Sequence, residues 1–114
     1  MDKLELIVRT LDNKLGKDIT AINMELVSPM YDTFVICSAS NERMIQSLRD
    51  NVEDELAKEG YFVRTIEGRK NSKWVLMDYG DIIVHIFDSE ERNNYNLEKL
   101  WADMPRINIE DYLQ

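Results

Sequence analysis

The chain has 114 residues, of which 14 are basic and 22 acidic, so its formal net charge is −8, and 44% of its residues are hydrophobic. This composition is typical of one folded domain and argues against a disordered chain. No apolar run approaches the roughly 20 residues that a membrane-spanning helix requires, and the first residues lack the features of a secretory signal. The acidic balance disfavours a protein that binds nucleic acid by itself and favours a basic protein as partner.

The first half of the chain predicts a helix, two strands and a second helix. Apolar residues recur at helical spacing in both helices, and Gly16 and Gly60 are the expected stops. Ser40 or Asn41 is the expected cap of the second helix. The first strand alternates between polar and apolar residues, and the second is a continuous apolar run. The predicted bounds are a helix at 4–15, strands at 19–27 and 31–37, and a helix at 44–56.

The second half predicts three strands and a last helix. Tyr79 and Gly80 join two of these strands so tightly that they are expected to pair as an antiparallel hairpin. Asp88 and Glu91 have the spacing of a capping box, and Pro105 is the expected end of the helix. The predicted bounds are strands at 61–66, 74–78 and 81–87, a helix at 92–101 and a short C-terminal tail at 105–114.

The order of these elements is helix, two strands, helix, three strands, helix. It predicts an α/β fold with a single mixed five-stranded sheet flanked by helices. No repeat, low-complexity tract or linker divides the chain, so residues 1–114 are expected to form one domain.

Few residues are suited to catalysis or metal binding. His85 is the only histidine, and it lies in the middle of a strand, which favours a structural or contact role. Asp78 and Asp81 bracket the hairpin turn, where aspartate usually serves the turn itself. Ser38 and Ser40 belong to no nucleophile motif, and the glycines form no phosphate-binding loop. Cys37 lies within an apolar run, which predicts a buried and unreactive thiol.

The only cluster of positive charge is the loop that contains Arg64, Arg69, Lys70 and Lys73. Its simplest interpretation is a solvated loop, and a modest contact with RNA is the alternative.

Aromatic residues favour a binding module. Alternation along the strand at 74–78 places Trp74, Leu76 and Asp78 on one face, and Val75 and Met77 on the other. A face with both tryptophan and aspartate is expected to be partly exposed, which makes Trp74 an anchor candidate, although a core position remains the alternative. Trp101, on the last helix, is expected to belong to the core.

Three neighbouring stretches have a recognisable combination of residues. They are the hairpin at 74–87 with its Asp-Tyr-Gly-Asp turn and histidine strand, Glu91 with Arg92, and the run Tyr-Asn-Leu-Glu-Lys-Leu-Trp at 95–101. Upstream, Lys-Asp-Ile at 17–19, Asp32 before the second strand, and Arg43 fit the same pattern. The chain therefore resembles the bacterial ribosome silencing factors, whose organelle relatives are the Iojap proteins.

This resemblance implies a nucleotidyltransferase-like fold without the active site, and hence a protein with no enzymatic activity, metal or cofactor. The composition, the first residues and the single cysteine, Cys37, predict a cytoplasmic protein. The resemblance implies a translational repressor that binds ribosomal protein fourteen of the large subunit and sterically blocks subunit joining. It also implies a role in large-subunit assembly, at most minor contact with rRNA, and a homodimer when free. The docking residues carried over are Trp74, Leu76, Asp78, Gly80, Asp81, Glu91, Arg92 and Tyr95.

Two alternatives and one departure from the family pattern accompany this reading. A nucleotidyltransferase-like enzyme would need a metal triad and a phosphate loop, and an RNA-binding assembly factor would act through the basic loop.

Many members of the family have glycine where this chain has Ala39. If that position requires a positive φ, alanine is expected to be costly there and to change the shape of the turn.

Overall fold

One mixed sheet of six strands organises the computed structural model, which describes residues 1–68 and 72–113. The elements in chain order are α1 (Lys3–Asn13), β1 (Lys17–Asn23), β2 (Thr33–Ala39), α2 (Glu42–Lys58), β3 (Thr65–Glu67), β4 (Trp74–Asp78), β5 (Ile82–Asp88), α3 (Ser89–Tyr95), α4 (Leu97–Leu100), β6 (Arg106–Ile107) and a 3-10 helix (Glu110–Tyr112). Across the sheet the strands are ordered β3-β4-β5-β2-β1-β6. β2 and β5 pair in parallel, and the other neighbours pair antiparallel.

The helices α1 and α2 cover one face of this sheet. Each begins at a side-chain cap: Asp2 Oδ1 accepts from the Glu5 amide at 2.8 Å, and Asn41 Oδ1 accepts from the Met44 amide at 2.8 Å. The second of these bonds confirms Asn41 as a cap. No helix among the described residues is long and apolar enough to cross a membrane. The core beneath the two helices includes Ile7, Leu11, Val35, Ile45, Leu48, Val52, Leu56, Val75, Met77, Val84 and Ile86.

The opposite face of the sheet has a thinner cover. Its buried residues are packed against side chains from the short helices α3 and α4 and the segment after them. Because these helices have only seven and four residues, they cannot cover the whole face. The buried members of this second cluster are Ile22, Met24, Phe34, Ile36, Ile83 and Phe87.

The prediction of five strands is wrong by one, because the tail contributes β6. Its two residues pair with Ala21 and Ile22 at the edge of β1, a match too short to produce a visible alternation in the sequence. β1 ends at Asn23 and not at residue 27, as was predicted. The chain turns there because Asn23 Oδ1 accepts a hydrogen bond from the Glu25 amide at 2.9 Å. A strand was predicted at 61–66. The observed strand β3 is shorter and begins later, because only Thr65–Glu67 pair with β4.

The last helix, predicted as one piece at 92–101, is two helices that begin at Ser89. Asn96 separates them, with φ of 49° and ψ of 56° in the left-handed region that asparagine tolerates better than most residues. Its amide donates to the Arg92 carbonyl at 2.8 Å, and its side chain accepts from the Lys99 amide at 3.3 Å. Asn96 therefore ends α3 and starts α4, which turns the chain between them.

Ala39 has no unfavourable backbone conformation. It is the last residue of β2, is fully buried, and pairs with Asp88 of β5. Among the described residues, positive φ occurs outside glycine at Leu15, Asp18 and Asn96. The condition for a costly alanine is therefore not met, because Ala39 belongs to the end of the strand and has no positive φ.

Gly16 allows the turn between α1 and β1 to lie against the core. A Cβ at this position would stand 2.5 Å from Cys37 Sγ and 2.8 Å from the Leu11 carbonyl oxygen. Both distances are shorter than van der Waals contact, and one of the two atoms belongs to the backbone and cannot rotate away. The close approach, together with the end of α1, accounts for glycine here.

We predict that Gly16→Ala lowers the free energy of unfolding by about 2 kcal/mol or more, since the new methyl group must displace a packed strand. Gly60→Ala is the matched control, because Gly60 has φ of +84° but no atom within 4 Å of its missing Cβ. In that variant the free energy of unfolding is expected to fall by only about 1 kcal/mol, because alanine disfavours a positive φ. Urea unfolding measures both, and equal losses would contradict the steric explanation.

Candidate functional site

Six rings form a continuous row across the second face of the sheet. Phe34 lies 4.6 Å from His85 between ring centroids, and Trp74 lies 5.0 Å from Phe87 and 4.6 Å from Tyr95. These are distances at which aromatic pairs attract each other beyond their burial. We call the set the aromatic row; its members are Tyr31, Phe34, His85, Phe87, Trp74 and Tyr95.

Strand register brings these rings together. Trp74 of β4 lies opposite Phe87 of β5, and Phe34 of β2 lies beside Ile83 in the parallel pair. Side chains alternate between faces along each strand, so His85 and Phe87 share the face of Trp74. Four members of the row are therefore positioned by three adjacent strands, and Tyr95 is added by α3.

Exposure increases towards one end of the row. His85 and Phe87 are 3% and 1% exposed, whereas Trp74 is partly exposed and Tyr95 is 52% exposed. Val75 and Met77, on the other face of β4, are fully buried. This pattern confirms the prediction that Trp74 shares a partly exposed face with Leu76 and Asp78. The surface end of the row is a rigid aromatic patch on a buried aromatic floor.

Trp74 is held by a hydrogen bond as well as by stacking. Its indole Nε1–H donates to His85 Nδ1 at 3.1 Å. The indole nitrogen can only donate, so Nδ1 of the imidazole must be unprotonated and the proton of the neutral ring lies on Nε2. No acceptor for that second nitrogen is present among the described residues.

Burial keeps this imidazole neutral. It lowers the pKa of His85 from its ordinary value of 6.5 to about 4, because a charged ring loses its hydration in the interior. The hydrogen bond from Trp74 is therefore available throughout the neutral pH range. His85 is a packed acceptor and not a proton-transfer group at neutral pH, which confirms its predicted structural role.

The hairpin turn carries acidic groups at the far end of β4 from Trp74. Asp78 Oδ1 accepts from the Gly80 amide at 2.7 Å, and Gly80 has φ of +94°. Asp78 thus serves the turn, as predicted. Asp81 is exposed and binds Lys3 Nζ at 2.6 Å, and the Arg64 guanidinium lies beside Gly80. The ion pair between Lys3 and Asp81 is partly exposed and contributes little to stability.

Arg92 is buried and fully engaged within the fold. Only 8% of the residue is exposed. Its Nε donates to Glu98 Oε1 at 2.8 Å, and its terminal nitrogens donate to Ser38 Oγ at 2.9 Å and Thr20 Oγ1 at 3.1 Å. The hydrogen bond from Arg92 holds the pKa of the Glu98 carboxyl below its ordinary range. Arg92 therefore ties α3 and α4 to β1 and β2.

The expected docking residues fall into three groups. Trp74 and Tyr95 are in ring contact at one end of β4, and Leu76 lies between them and the turn. Asp78, Gly80 and Asp81 form the turn. Along β4, Asp78 lies roughly 13 Å from Trp74. Glu91 is partly exposed on α3. Arg92 is the one residue of the set that is buried.

Tyr31, Phe34 and Phe87 were not among the expected site residues. Alternation along the strand at 81–87 puts His85 and Phe87 on one face and could have indicated Phe87. The contribution of β2 was not visible, because Phe34 lies in a run that is apolar on both faces. Trp101, predicted as core, is partly buried against the second cluster.

The remaining candidates for chemistry are the cysteine, possible metal ligands and the basic loop. Burial raises the pKa of the Cys37 thiol to about 12, which makes it a packed and unreactive side chain, as predicted. No group of three or more potential metal ligands occurs among the residues at 1–68 and 72–113. Of the basic loop, Arg64 and Lys73 are exposed, and Arg69 and Lys70 lie outside the described residues.

We predict that stability falls by about 2 kcal/mol between pH 7 and pH 5 because of His85. In that interval the unfolded chain binds a proton at its only histidine, and the folded chain, with its lowered pKa, does not. The contribution of His85 is complete above pH 6.5 and is lost as the pH falls towards 4. Urea unfolding at the two pH values measures the loss. His85→Phe is the control, and a persistent loss in that variant would contradict the assignment.

We predict that Arg92→Met destabilises the fold by roughly 2–3 kcal/mol, because Glu98 and two hydroxyl groups lose their common donor. Arg43→Met is the matched control on an exposed site and should change stability by less than about 0.5 kcal/mol. Thermal and urea unfolding compare the two. Unchanged stability in Arg92→Met, together with lost partner binding, would show instead that Arg92 contacts the partner.

Comparisons with known proteins agree with one family. A relative named ribosomal silencing factor RsfS, from Halalkalibacterium halodurans, is 36% identical over 107 residues, which cover 94% of this chain and 92% of the relative. A crystal structure of a Bacillus halodurans protein is 35% identical and superimposes with a TM-score of 0.81, over 92% of this chain and 95% of that one. More distantly, mouse "mitochondrial assembly of ribosomal large subunit protein 1" is 28% identical over 87% of this chain and 45% of its own length.

A family model agrees with these relatives over the whole sequence. The model described as "Ribosomal silencing factor during starvation" matches residues 1–114. The chain belongs to the RsfS family of ribosomal silencing factors.

Proposed function

We propose that this protein represses translation by binding ribosomal protein fourteen of the large ribosomal subunit and sterically blocking its union with the small subunit. Membership of the silencing factor family supports action on the ribosome. The printed name of the mouse relative supports the large subunit as the partner and a role in its assembly. No catalytic step is needed for this function, because occupancy of the joining face is sufficient.

The observation that carries the proposal is the exposed end of the aromatic row. Trp74 and Tyr95 are large, rigid side chains on a sheet face that α1 and α2 leave uncovered. Tryptophan and tyrosine dominate binding energy at interfaces, since they bury a large area with few rotatable bonds. Trp74 is also pre-organised by its stacking on Phe87, so little side-chain entropy is lost on binding.

The charge of the chain supports a basic protein as the partner. Its net charge is −8, and Asp78, Asp81 and Glu91 of the expected docking set contribute to it. Opposite potentials speed the encounter with a basic surface and fix its orientation. The same net charge disfavours bare RNA, and with it the basic loop, as the principal contact.

The role of Arg92 within the proposed surface is indirect. Its three bonds to Glu98, Ser38 and Thr20 hold α3 against the sheet. Glu91 and Tyr95 belong to the same helix and are oriented by this brace. Arg92 therefore supports docking by placing its neighbours.

The free protein is proposed to be cytoplasmic and, as the resemblance implies, a homodimer. Sedimentation of the isolated protein tests this state directly. If addition of large subunits produces a complex with one copy of the chain, dimer and ribosome surfaces overlap.

We predict that the protein reduces the number of joined ribosomes when it is mixed with separated subunits, and that Trp74→Ala weakens its docking by about 2 kcal/mol, or roughly thirtyfold. Phe62→Ala is the matched control, because Phe62 is 72% exposed and lies outside the aromatic row. Sedimentation on gradients counts joined ribosomes, and binding to purified large subunits gives the affinity.

Two further observations decide the interpretation of that experiment. Trp74 stacks on Phe87, so its removal also lowers stability, and near-ultraviolet circular dichroism must show that the variant is folded. If the unmodified protein leaves joining unchanged, the proposed function is wrong. If Phe62→Ala weakens docking as much as Trp74→Ala does, the surface is misplaced.

A further inference from the structure

His85 is a buried polar residue with a hydrogen bond at one of its two ring nitrogens. The residue is 3% exposed, and its Nδ1 accepts from Trp74 Nε1 at 3.1 Å. Its Nε2–H is buried and has no partner among the described residues. A buried donor without an acceptor is destabilising, because it has lost its bond to water without replacement.

The neighbours of His85 show what a purely structural residue would look like. Ile83 and Phe87 share its face of β5 and are apolar, as are Phe34 and Leu76 beside it. A phenylalanine in place of His85 would bury a similar ring against Phe34 without an unpaired donor or a titratable group. Stability alone therefore does not favour histidine at this position.

We propose that His85 is a positioning residue for docking: it fixes the indole of Trp74 so that this anchor meets the partner through its carbon atoms alone. The inference rests on the proposed docking role of Trp74. An indole has one polar atom, and in Trp74 that atom is already bonded inside the protein. The part of the ring that remains exposed is hydrocarbon.

The chemistry of the partner follows from this geometry. A recess that received Trp74 with its N–H free would need an acceptor, since burial without one is costly. With the N–H bonded to His85, the matching recess is apolar and needs no acceptor for the indole. The stacked Phe87 below limits tilting of the indole, and His85 limits its rotation in plane.

The test compares three replacements in the full chain for binding to purified large subunits. His85→Phe keeps a ring but removes the acceptor. His85→Asn retains an acceptor, because its amide oxygen lies near the position of Nδ1. Trp74→Phe removes the donor and supplies the background in which His85→Phe should cause no additional loss.

We expect His85→Phe to weaken docking about fivefold to tenfold, the equivalent of one hydrogen bond that no longer orients the anchor. At pH 7 the same variant should unfold at an equal or higher urea concentration than the unmodified protein. His85→Asn should be less stable but, measured at a temperature at which it is folded, should dock within about twofold of the unmodified protein, because the acceptor is restored.

A direct readout of the bond is the indole N–H resonance of Trp74 in a nitrogen–proton correlation spectrum. It is assigned by its disappearance in Trp74→Phe and is distinguished in this way from that of Trp101. His85→Phe should shift this resonance and accelerate its exchange with solvent, and His85→Asn should restore protection. A residue that merely fills the core would leave the exchange of the indole proton unchanged.

Three outcomes would overturn the inference: unchanged docking in His85→Phe, equal losses in His85→Phe and His85→Asn, or a further loss from His85→Phe in the Trp74→Phe background. These outcomes are separate from failure of the proposed function. If the unmodified protein does not bind large subunits, the function is wrong, and the spectrum alone then reports whether His85 orients Trp74.

Discussion

The parallel pairing of β2 with β5 is the interaction on which the candidate surface depends. It joins residues far apart in the chain, such as Thr33 and Ile82, and its strands are almost entirely buried. Phe34 is thereby brought beside His85, which in turn holds Trp74 on the next strand. The aromatic row exists only when three strands are in register. The proposed docking surface therefore forms only together with the central sheet, and not from a loop alone.

Unequal cover on the two faces of the sheet explains how one small domain combines stability with binding. α1 and α2 bury one face under long apolar stripes, which supplies most of the core. The short α3 and α4 leave the other face partly open, and Arg92 holds them there through three hydrogen bonds. Two of the buried polar side chains, Arg92 and His85, have opposite consequences. Arg92 is satisfied and stabilises, whereas His85 is half satisfied, and its value lies in the orientation of Trp74.

Much of the candidate site was predictable because its signals are local. Alternation at 74–78 separated Trp74 from Val75, and the tight turn at Tyr79 and Gly80 specified the hairpin, since period and turn chemistry act over a few residues. The break at Asn96 and the pairing of β6 were missed. The pairing of β6 depends on a strand that is distant in the sequence. Neither a single left-handed residue such as Asn96 nor a two-residue strand leaves a periodic pattern.

By itself the sequence determined the α/β class, the helices α1 and α2, the hairpin and the family, because hydrophobic periodicity and a distinctive residue block carry that information. Only the tertiary structure decided that Arg92 is a buried brace, that Ala39 continues a strand, and that His85 accepts the indole proton of Trp74. The physical reason is that burial and hydrogen-bond partners are properties of side chains from separate elements. The hairpin that the sequence singled out as an expected docking block is thus a partly exposed surface on which Trp74 is bonded from below to His85, a contact that alternation along a single strand does not reveal.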